Sequence, residues 1–154
     1  MHYLKRFRYL MRLDDDTCLL DPVGFDIFQR MEENGIVYAY KQIFIDSESV
    51  VVGLDSFAEH FMSINELKWA NAPLRAQAQR ISGGQLLSFS TNLEVIDMWR
   101  YRSADNLKFL HAVLNSNNIY NRRWGDAPLR FLQAQMFFTN DEVNFMTIIY
   151  YHLL

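Results

Sequence analysis

Apolar residues along this chain form two kinds of pattern, short runs and longer stripes at helical spacing. Short apolar or β-branched runs predict strands, here at residues 9–13, 36–45, 86–89 and 143–149. Stripes at helical spacing predict helices, here at residues 21–34, 47–61, 103–114 and 126–138. The polar stretch at residues 62–85 predicts irregular structure. Because strands and helices alternate, the sequence predicts an α/β fold.

Residues with strong capping preferences sit where these stripes begin and end. Asp21 followed by Pro22 predicts a helix start, since aspartate caps the first turn and proline has no N–H to leave unpaired. Ser47 and Ser103 predict two further helix starts. The turn-forming pair Asn34 and Gly35 predicts the end of the helix that starts at Asp21.

Composition narrows the class of protein. The 154 residues are 50% hydrophobic and 15% aromatic, which is enough for the packed core of one domain, residues 1–154. A net charge of −3 gives no indication of a nucleic-acid or anionic-membrane partner. One cysteine, Cys18, excludes an intrachain disulfide and a multi-cysteine zinc site. No apolar stretch is long enough to span a membrane, and Lys5, Arg6 and Arg8 interrupt any signal-peptide pattern.

Three consecutive aspartates, Asp14, Asp15 and Asp16, follow directly after the first predicted strand. At about 5 Å and an effective dielectric constant of about 20, each close pair of carboxylates repels by roughly 3 kcal/mol. A divalent cation would reverse that repulsion, because hard cations take carboxylate oxygens. If the backbone stays extended, Asp14 and Asp16 point the same way. Two interpretations stay open: a solvated acidic turn, or a metal site of the D-x-D kind found at nucleotide-sugar sites.

Two other acidic motifs fail on spacing. A haloacid-dehalogenase-type phosphatase needs threonine where this chain has Cys18. An EF-hand loop starting at Asp14 needs glycine and glutamate where this chain has Leu19 and Phe25. An unrelated metal-dependent hydrolase using the aspartates remains the least favoured hypothesis.

Two further acids have both a structural and a catalytic interpretation. Glu94 follows a predicted strand, where it could favour the next helix dipole or serve glycosyl chemistry as nucleophile or stabiliser. Asp126 precedes Ala-Pro, where it could cap a helix or serve a sugar site lined by Trp124. Arg122 and Arg123 could contact phosphate. His152, near the chain end, is either a surface residue or a metal ligand beside carboxylates.

Four segments, in this order and at these separations, resemble glycosyltransferase family 15, the fungal α-1,2-mannosyltransferases. They lie at residues 10–16, 92–97, 123–128 and 150–152. The most specific part is Arg-Trp-Gly-Asp-Ala-Pro at residues 123–128, together with Asp-Glu-Val at 141–143 and the closing Tyr-Tyr-His. The resemblance spans nearly the whole chain but corresponds to only the later part of the family's catalytic domain, so we expect the N-terminal half of that domain to be missing.

This resemblance implies a nucleotide-diphospho-sugar transferase fold of the GT-A type, with a mixed sheet flanked by helices. It implies transfer of mannose from GDP-mannose to an α-mannoside acceptor with retention of configuration, Mn²⁺ as cofactor and residence in the Golgi lumen. The family's metal ligands fall on Asp14, Asp16 and His152, its candidate nucleophile on Glu94 and its Trp-Gly-Asp acid on Asp126. With Trp124 and Arg123 at the donor, these residues make the predicted site.

Two features separate this chain from the family's usual pattern. The family's Glu-Pro-Asp is Asp-Asp-Asp here, which shortens the reach of the first carboxylate by one methylene. The family's nucleotide-binding first half and its membrane anchor would lie upstream of Met1. The alternative to an active mannosyltransferase is therefore a truncated, inactive glycosyltransferase-like binding module.

Overall fold

A computed structural model describes residues 3–82 and 85–152. The strands are β1 (Tyr9–Leu13), β2 (Thr17–Leu19), β3 (Tyr38–Tyr40), β4 (Ile43–Ile45), β5 (Leu87–Phe89), β6 (Leu93–Asp97), β7 (Val143–Phe145) and β8 (Tyr150–His152). The helices are α1 (Ile27–Glu33), α2 (Glu48–Val51), α3 (Leu54–Ile64), α4 (Ala72–Ser82), α5 (Met98–Tyr101), α6 (Ala104–Asn115), α7 (Asn118–Asn121) and α8 (Asp126–Phe137). Short 3-10 helices lie at Tyr3–Arg6 and Asn140–Glu142.

The main sheet has the order β1-β6-β3-β7. Strand β6 runs antiparallel to both of its neighbours, and β7 runs parallel to β3. Leu93, Val95 and Ile96 are buried along β6, as expected for a central strand covered on both faces. This mixed sheet with flanking helices confirms the predicted fold class.

Two small strand pairs surround this sheet, β2 with β8 and β4 with β5. Both pairs are antiparallel. In the β2–β8 pair, the backbone of Thr17 lies opposite that of His152. The pairing therefore brings the C-terminal strand next to the acidic segment that follows β1.

Helix α8 is buried along most of its length. Phe131, Leu132 and Ala134 are fully enclosed, and the polar Gln133 and Gln135 are enclosed as well. A helix that is buried on all sides lies inside the core rather than on its surface. One cluster of core side chains joins α8 to α3 and α6, and a second joins it to β3, β5 and β6.

Several predicted boundaries are wrong, and each has a local cause. The helix predicted from Asp21 begins at Ile27, because the Asp26 carboxylate accepts hydrogen bonds from the N–H groups of Phe28 (2.9 Å) and Gln29 (3.1 Å) and caps it there. The strand predicted at 36–45 is broken into β3 and β4, which pair in different sheets. Residues 62–85, predicted to be irregular, contain the end of α3 and all of α4.

The outer edge of β1 is open within the part of the chain that the structure describes. Hydrogen bonds from Met98 N to Arg8 O (2.6 Å) and from Asp14 N to Asn92 O (3.0 Å) continue the β1–β6 ladder at both ends. Antiparallel pairs bond at alternate residues, so the residues between those that face β6 direct their peptide groups outward. These outward-facing residues are Tyr9, Met11 and Leu13. A half-exposed apolar edge strand is a template for pairing with another strand.

The break between α2 and α3 depends on Gly53, and substitution by alanine is expected to destabilise the fold. Gly53 has φ = 72°, and an added Cβ would lie 2.6 Å from Nη1 of Arg122. The left-handed backbone alone costs roughly 1–2 kcal/mol for a residue with a Cβ. We expect Gly53→Ala to lower the free energy of unfolding in urea by at least about that amount.

The matched control is Gly24→Ala, because a Cβ at Gly24 meets nothing within 4 Å and its φ is not positive. It should leave the unfolding free energy within about 0.5 kcal/mol of the parent or raise it slightly. Equal effects from the two substitutions would contradict this account of the α2–α3 break.

Candidate active site

The three aspartates lie in a tight turn between β1 and β2. Thr17 N donates to Asp14 O at 3.0 Å, which closes the turn over Asp15 and Asp16. The backbone is therefore not extended here, and the alternation predicted for Asp14 and Asp16 does not apply. Asp14 and Asp16 are half-buried, whereas Asp15 is exposed. The acidic turn and the metal-ligand interpretations both remain compatible with this geometry.

Arg12 joins the acidic turn to the start of α8. Its Nε donates to Asp14 Oδ1 at 2.9 Å, and its Nη1 forms a close ion pair with Asp126. Asp126 is the first residue of α8, where its charge favours the helix dipole. The capping position itself belongs to Gly125, so the predicted N-cap role of Asp126 is wrong. The structure thus brings two of the predicted site acids onto one arginine.

Glu94 lies within β6, not at the exit of a strand, and is 2% exposed. Its Oε2 accepts a hydrogen bond from the Tyr38 hydroxyl at 2.7 Å and lies 3.4 Å from Nε of Arg130. The helix that follows β6 is capped by the Asp97 carboxylate, so Glu94 is not the dipole-favouring acid of the structural interpretation. Glu94 is a buried acid with a hydroxyl donor and a cationic partner.

Burial raises the pKa of Glu94 above its ordinary value, because a desolvated carboxylate loses its hydration. Arg130, the Tyr38 hydroxyl and Arg12 lower this pKa, and Asp126 raises it again, with burial prevailing. The influence of Arg12 and Asp126 means that the turn, the start of α8 and the middle of β6 share one electrostatic environment. We refer to Arg12, Asp14, Glu94, Asp126 and Arg130 as the acid–arginine cluster.

Trp124 packs in the core instead of lining an open site. It is 3% exposed, its ring centroid lies 5.2 Å from that of Phe57, and its Nε1 donates to Val52 O at 3.0 Å. A ring enclosed in this way offers no open face to a sugar, which corrects the predicted role. Its neighbour Arg123 is exposed and has φ = 58°. The role of Arg123 at the donor stays a prediction.

The metal ligands are described only in part. Asp14 and Asp16 share the turn, and the backbone of His152 lies across from Thr17, but the side chain of His152 falls outside the described residues. Among the side chains that are described, no three of histidine, cysteine, aspartate and glutamate gather into a metal-binding group. The Oγ1 atom of Thr17 is buried and has no hydrogen-bond partner among the described residues.

Three members of the site were missed by sequence reasoning: Arg12, Tyr38 and Arg130. Arg12 could have been found, because side chains two apart on a strand share a face and this places it beside Asp14. Arg130 is the one basic residue of the largely apolar helix α8, which is a usable signal. Tyr38 gives no such signal, because an aromatic residue in a strand is expected in any core.

The mixed α/β sheet carries a buried acid on its antiparallel central strand β6, beside the acidic turn at the end of β1, and this is the fold of known mannosyltransferases. Residues 1–153 match the family described as glycolipid 2-alpha-mannosyltransferase, and the chain belongs to that family. Its relatives include the probable mannosyltransferase KTR4 of Saccharomyces cerevisiae, 26% identical over 97% of this chain. The O-glycoside alpha-1,2-mannosyltransferase omh1 of Schizosaccharomyces pombe is 25% identical over 97% of this chain.

Solved structures agree with this assignment. The mannosyltransferase Ktr4p of S. cerevisiae in complex with GDP superposes with a TM-score of 0.86, at 25% identity, over 99% of this chain and 41% of its own. Core-mannan synthase A of Aspergillus fumigatus, in its Mn/GDP form, has the same fold, with a TM-score of 0.83 at 23% identity over 98% of this chain and 44% of its own. The chain spans 34% of KTR4 and 39% of omh1. No helix within the described residues is long and apolar enough to cross a membrane.

Proposed function

We propose that this chain carries the acid-bearing part of an α-mannosyltransferase site. The reaction is transfer of mannose from GDP-mannose to an α-mannoside acceptor, with retention of configuration, in glycan synthesis in the Golgi lumen. The observation that carries the proposal is the acid–arginine cluster, which brings acids from three separate segments together in a member of a mannosyltransferase family.

The donor and metal follow from the chemistry of the residues and from the relatives. One related structure holds GDP and another is a Mn/GDP form. Carboxylate oxygens and imidazole nitrogen suit Mn²⁺, and the turn supplies the carboxylates of Asp14 and Asp16. These two residues, with His152 from the adjoining strand, would hold the ion. When bound, Mn²⁺ neutralises the negative charge that develops on the departing diphosphate.

In this proposal Glu94 acts on the anomeric carbon. Because its side chain is 2% exposed, the proposal requires an opening to this carboxylate when the donor binds. Both of its described polar contacts use Oε2, so Oε1 is the oxygen that would meet the sugar. A carboxylate in a low-dielectric setting stabilises the positive charge of an oxocarbenium-like transition state strongly. The same oxygen could instead attack the anomeric carbon in a double displacement. Both routes give retention and both need Glu94 ionised.

Asp126 orients or deprotonates the acceptor hydroxyl. It is half exposed, with a side-chain relative exposure of 52%, which leaves room for an acceptor. Its Oδ1 accepts from Ala127 N at 3.0 Å, and its Oδ2 pairs with Arg12. These contacts fix the carboxylate at the start of α8, a requirement for a positioned general base.

The test is a transfer assay with the purified full chain, radiolabelled GDP-mannose, Mn²⁺ and methyl α-mannoside. We expect a mannosylated product that requires Mn²⁺ and is lost with EDTA, with an α linkage by NMR of the anomeric proton. A β-linked product would contradict retention, and transfer that is indifferent to EDTA would contradict the metal site.

The second candidate function is a glycosyltransferase-like binding module without turnover. The observation that favours it is the open, half-exposed apolar edge of β1 within the described residues, which is a template for pairing with a partner strand. Binding of GDP or of a mannoside measured by calorimetry, in a chain that gives no product in the transfer assay, would favour this second function.

A further inference from the structure

A buried polar network of side chains from α5, α6 and α8 surrounds Arg130, the cationic partner of Glu94. Nη1 of Arg130 donates to the Tyr101 hydroxyl at 2.7 Å, and the guanidinium carbon lies 4.8 Å from the centroid of the Tyr101 ring. The same nitrogen lies 3.4 Å from Oε1 of Gln133. The guanidinium group is therefore held through Nη1, whereas its contact with Glu94 uses Nε.

The members of this network also hold one another. The Tyr101 hydroxyl donates to Oε1 of Gln133, and Nε2 of Gln133 donates to Oδ1 of Asn106 at 2.6 Å. Nδ2 of Asn106 donates back to the Tyr101 carbonyl at 2.8 Å, which closes the ring of contacts. All three residues are at most 5% exposed. A closed, buried network fixes its members more firmly than an exposed ion pair does.

Nε of Arg130 is a buried donor that this network does not satisfy. It has no hydrogen-bond partner among the described residues, and it lies 3.4 Å from Oε2 of Glu94. Its charge therefore acts on Glu94 while the short hydrogen bond to that oxygen comes from Tyr38, at 2.7 Å. The Tyr38 hydroxyl therefore orients the Glu94 carboxylate, and Arg130 compensates its charge.

We infer that Arg130 is a positioning residue that favours the ionised form of Glu94, and that Tyr101, Gln133 and Asn106 hold Arg130 in place for this task. The inference deepens the proposed function and rests on it for its catalytic meaning. The charged and titratable groups that influence Glu94 come from β1, β3 and α8: Arg12, Tyr38, Asp126 and Arg130.

The electrostatics of the site agree with this inference. Burial is the largest effect on Glu94 and raises its pKa, while Arg130 is the largest effect in the opposite direction. Burial also opposes the charge of Arg130, but the pKa of Arg130 is raised overall by the groups around it, chiefly Tyr101 and Glu94. Without Arg130, only the Tyr38 hydroxyl and Arg12 would oppose the effect of burial, and Glu94 would stay protonated up to a higher pH.

The test is a direct titration of Glu94 by NMR in the full chain carrying ¹³C at the glutamate carboxyl carbons. The Glu94 signal is identified as the one that Glu94→Gln removes. We expect Arg130→Met to raise the titration midpoint by at least about one pH unit, a tenfold tighter proton affinity. Arg130→Lys, which keeps the charge, should recover more than half of this shift. Arg80→Met, which removes an exposed arginine from α4, should leave the midpoint unchanged.

An unchanged Glu94 midpoint in folded Arg130→Met would overturn the inference. If that variant does not fold, Tyr101→Phe provides the second test, because it removes a hydrogen-bond acceptor of Arg130. A smaller upward shift supports the inference, and no shift overturns it.

The readout separates this inference from the proposed function, because the titration needs no turnover. If the chain transfers mannose, Arg130→Met should move the acidic limb of the kcat/KM profile, which reports the free protein, to higher pH by the same amount, and leave KM for the donor nearly unchanged at higher pH. If the titration shifts as expected and no mannose is transferred, the electrostatic role of Arg130 stands and the proposed function fails.

Discussion

Glu94→Gln is expected to lower mannosyl transfer by roughly 10²–10³-fold, the range measured when a group that stabilises transition-state charge is removed. Glutamine has nearly the same shape but no negative charge. It can neither stabilise an oxocarbenium-like centre nor attack the anomeric carbon. The measurement is the initial rate with radiolabelled GDP-mannose, Mn²⁺ and methyl α-mannoside.

A stability control is needed, because Glu94→Gln also leaves Arg130 without its carboxylate partner. Breaking a buried ion pair by removing one partner costs about 3–5 kcal/mol in other proteins, so the thermal unfolding of the variant must be followed by circular dichroism. Glu33→Gln removes one exposed carboxylate from α1 and should leave the rate unchanged. A folded Glu94→Gln chain with a parental rate would contradict the catalytic role.

Replacing Asp14 and Asp16 together with asparagine is expected to weaken Mn²⁺ binding by about 100-fold or more. Loss of a group that merely supports a metal ligand already costs about 10–100-fold, so loss of two ligands should cost at least as much. The two neutral amides also remove most of the negative charge that attracts the ion. The measurement is a titration of free Mn²⁺ by electron paramagnetic resonance with the full chain.

The same turn provides the matched control. Asp15 is exposed and lies between the two proposed ligands, so Asp15→Asn changes the charge of the turn without removing either of them. We expect it to weaken Mn²⁺ binding by less than about fivefold, the size of a single exposed charge effect. If Asp15→Asn and the double variant lose affinity equally, the turn attracts cations only by its net charge, and the metal site is wrong.

The pattern of apolar residues along the chain correctly predicted β1 and α8. Residues 9–13 form β1 as expected, and the stripe at 126–138 becomes α8 with its end within one residue. The apolar run at 36–45 was wrongly predicted to be one strand, because all of its residues suit a strand. The break between β3 and β4 arises because β3 pairs with β6 and β4 pairs with β5. Pairing partners of this kind are set by the rest of the chain.

The sequence allowed some residues of the candidate site to be predicted, but not the contacts between them. Asp14 and Glu94 were predicted from their place after strands, Asp126 from its place at a helix start, and all three from a family resemblance. The Tyr38–Glu94 hydrogen bond joins residues 56 positions apart, and the Arg12–Asp126 pair joins residues 114 positions apart. No local spacing encodes such contacts, so the acid–arginine cluster emerges only when the chain folds.

Trp124 illustrates the opposite error. Its place next to an acid in the most family-specific motif suggested a sugar platform, but the ring is a core residue that ties α3 to the start of α8. An aromatic side chain beside a functional acid serves packing as readily as binding. The motif contributes to the site by fixing the position of Asp126, because the buried Trp124 two residues before it anchors the backbone.

The central claim is that the acidic turn binds a divalent ion and that Glu94 and Asp126 lie in the same site as this ion. Its most direct test is the broadening of ¹³C-carboxyl NMR signals of the full chain by small amounts of Mn²⁺. We expect the signals of Asp14 and Asp16 to broaden first, those of Asp126 and Glu94 next, and those of Asp55 and Asp105 last. Broadening that begins at Asp55 or Asp105, or that affects all six acids equally, would contradict a shared ion site.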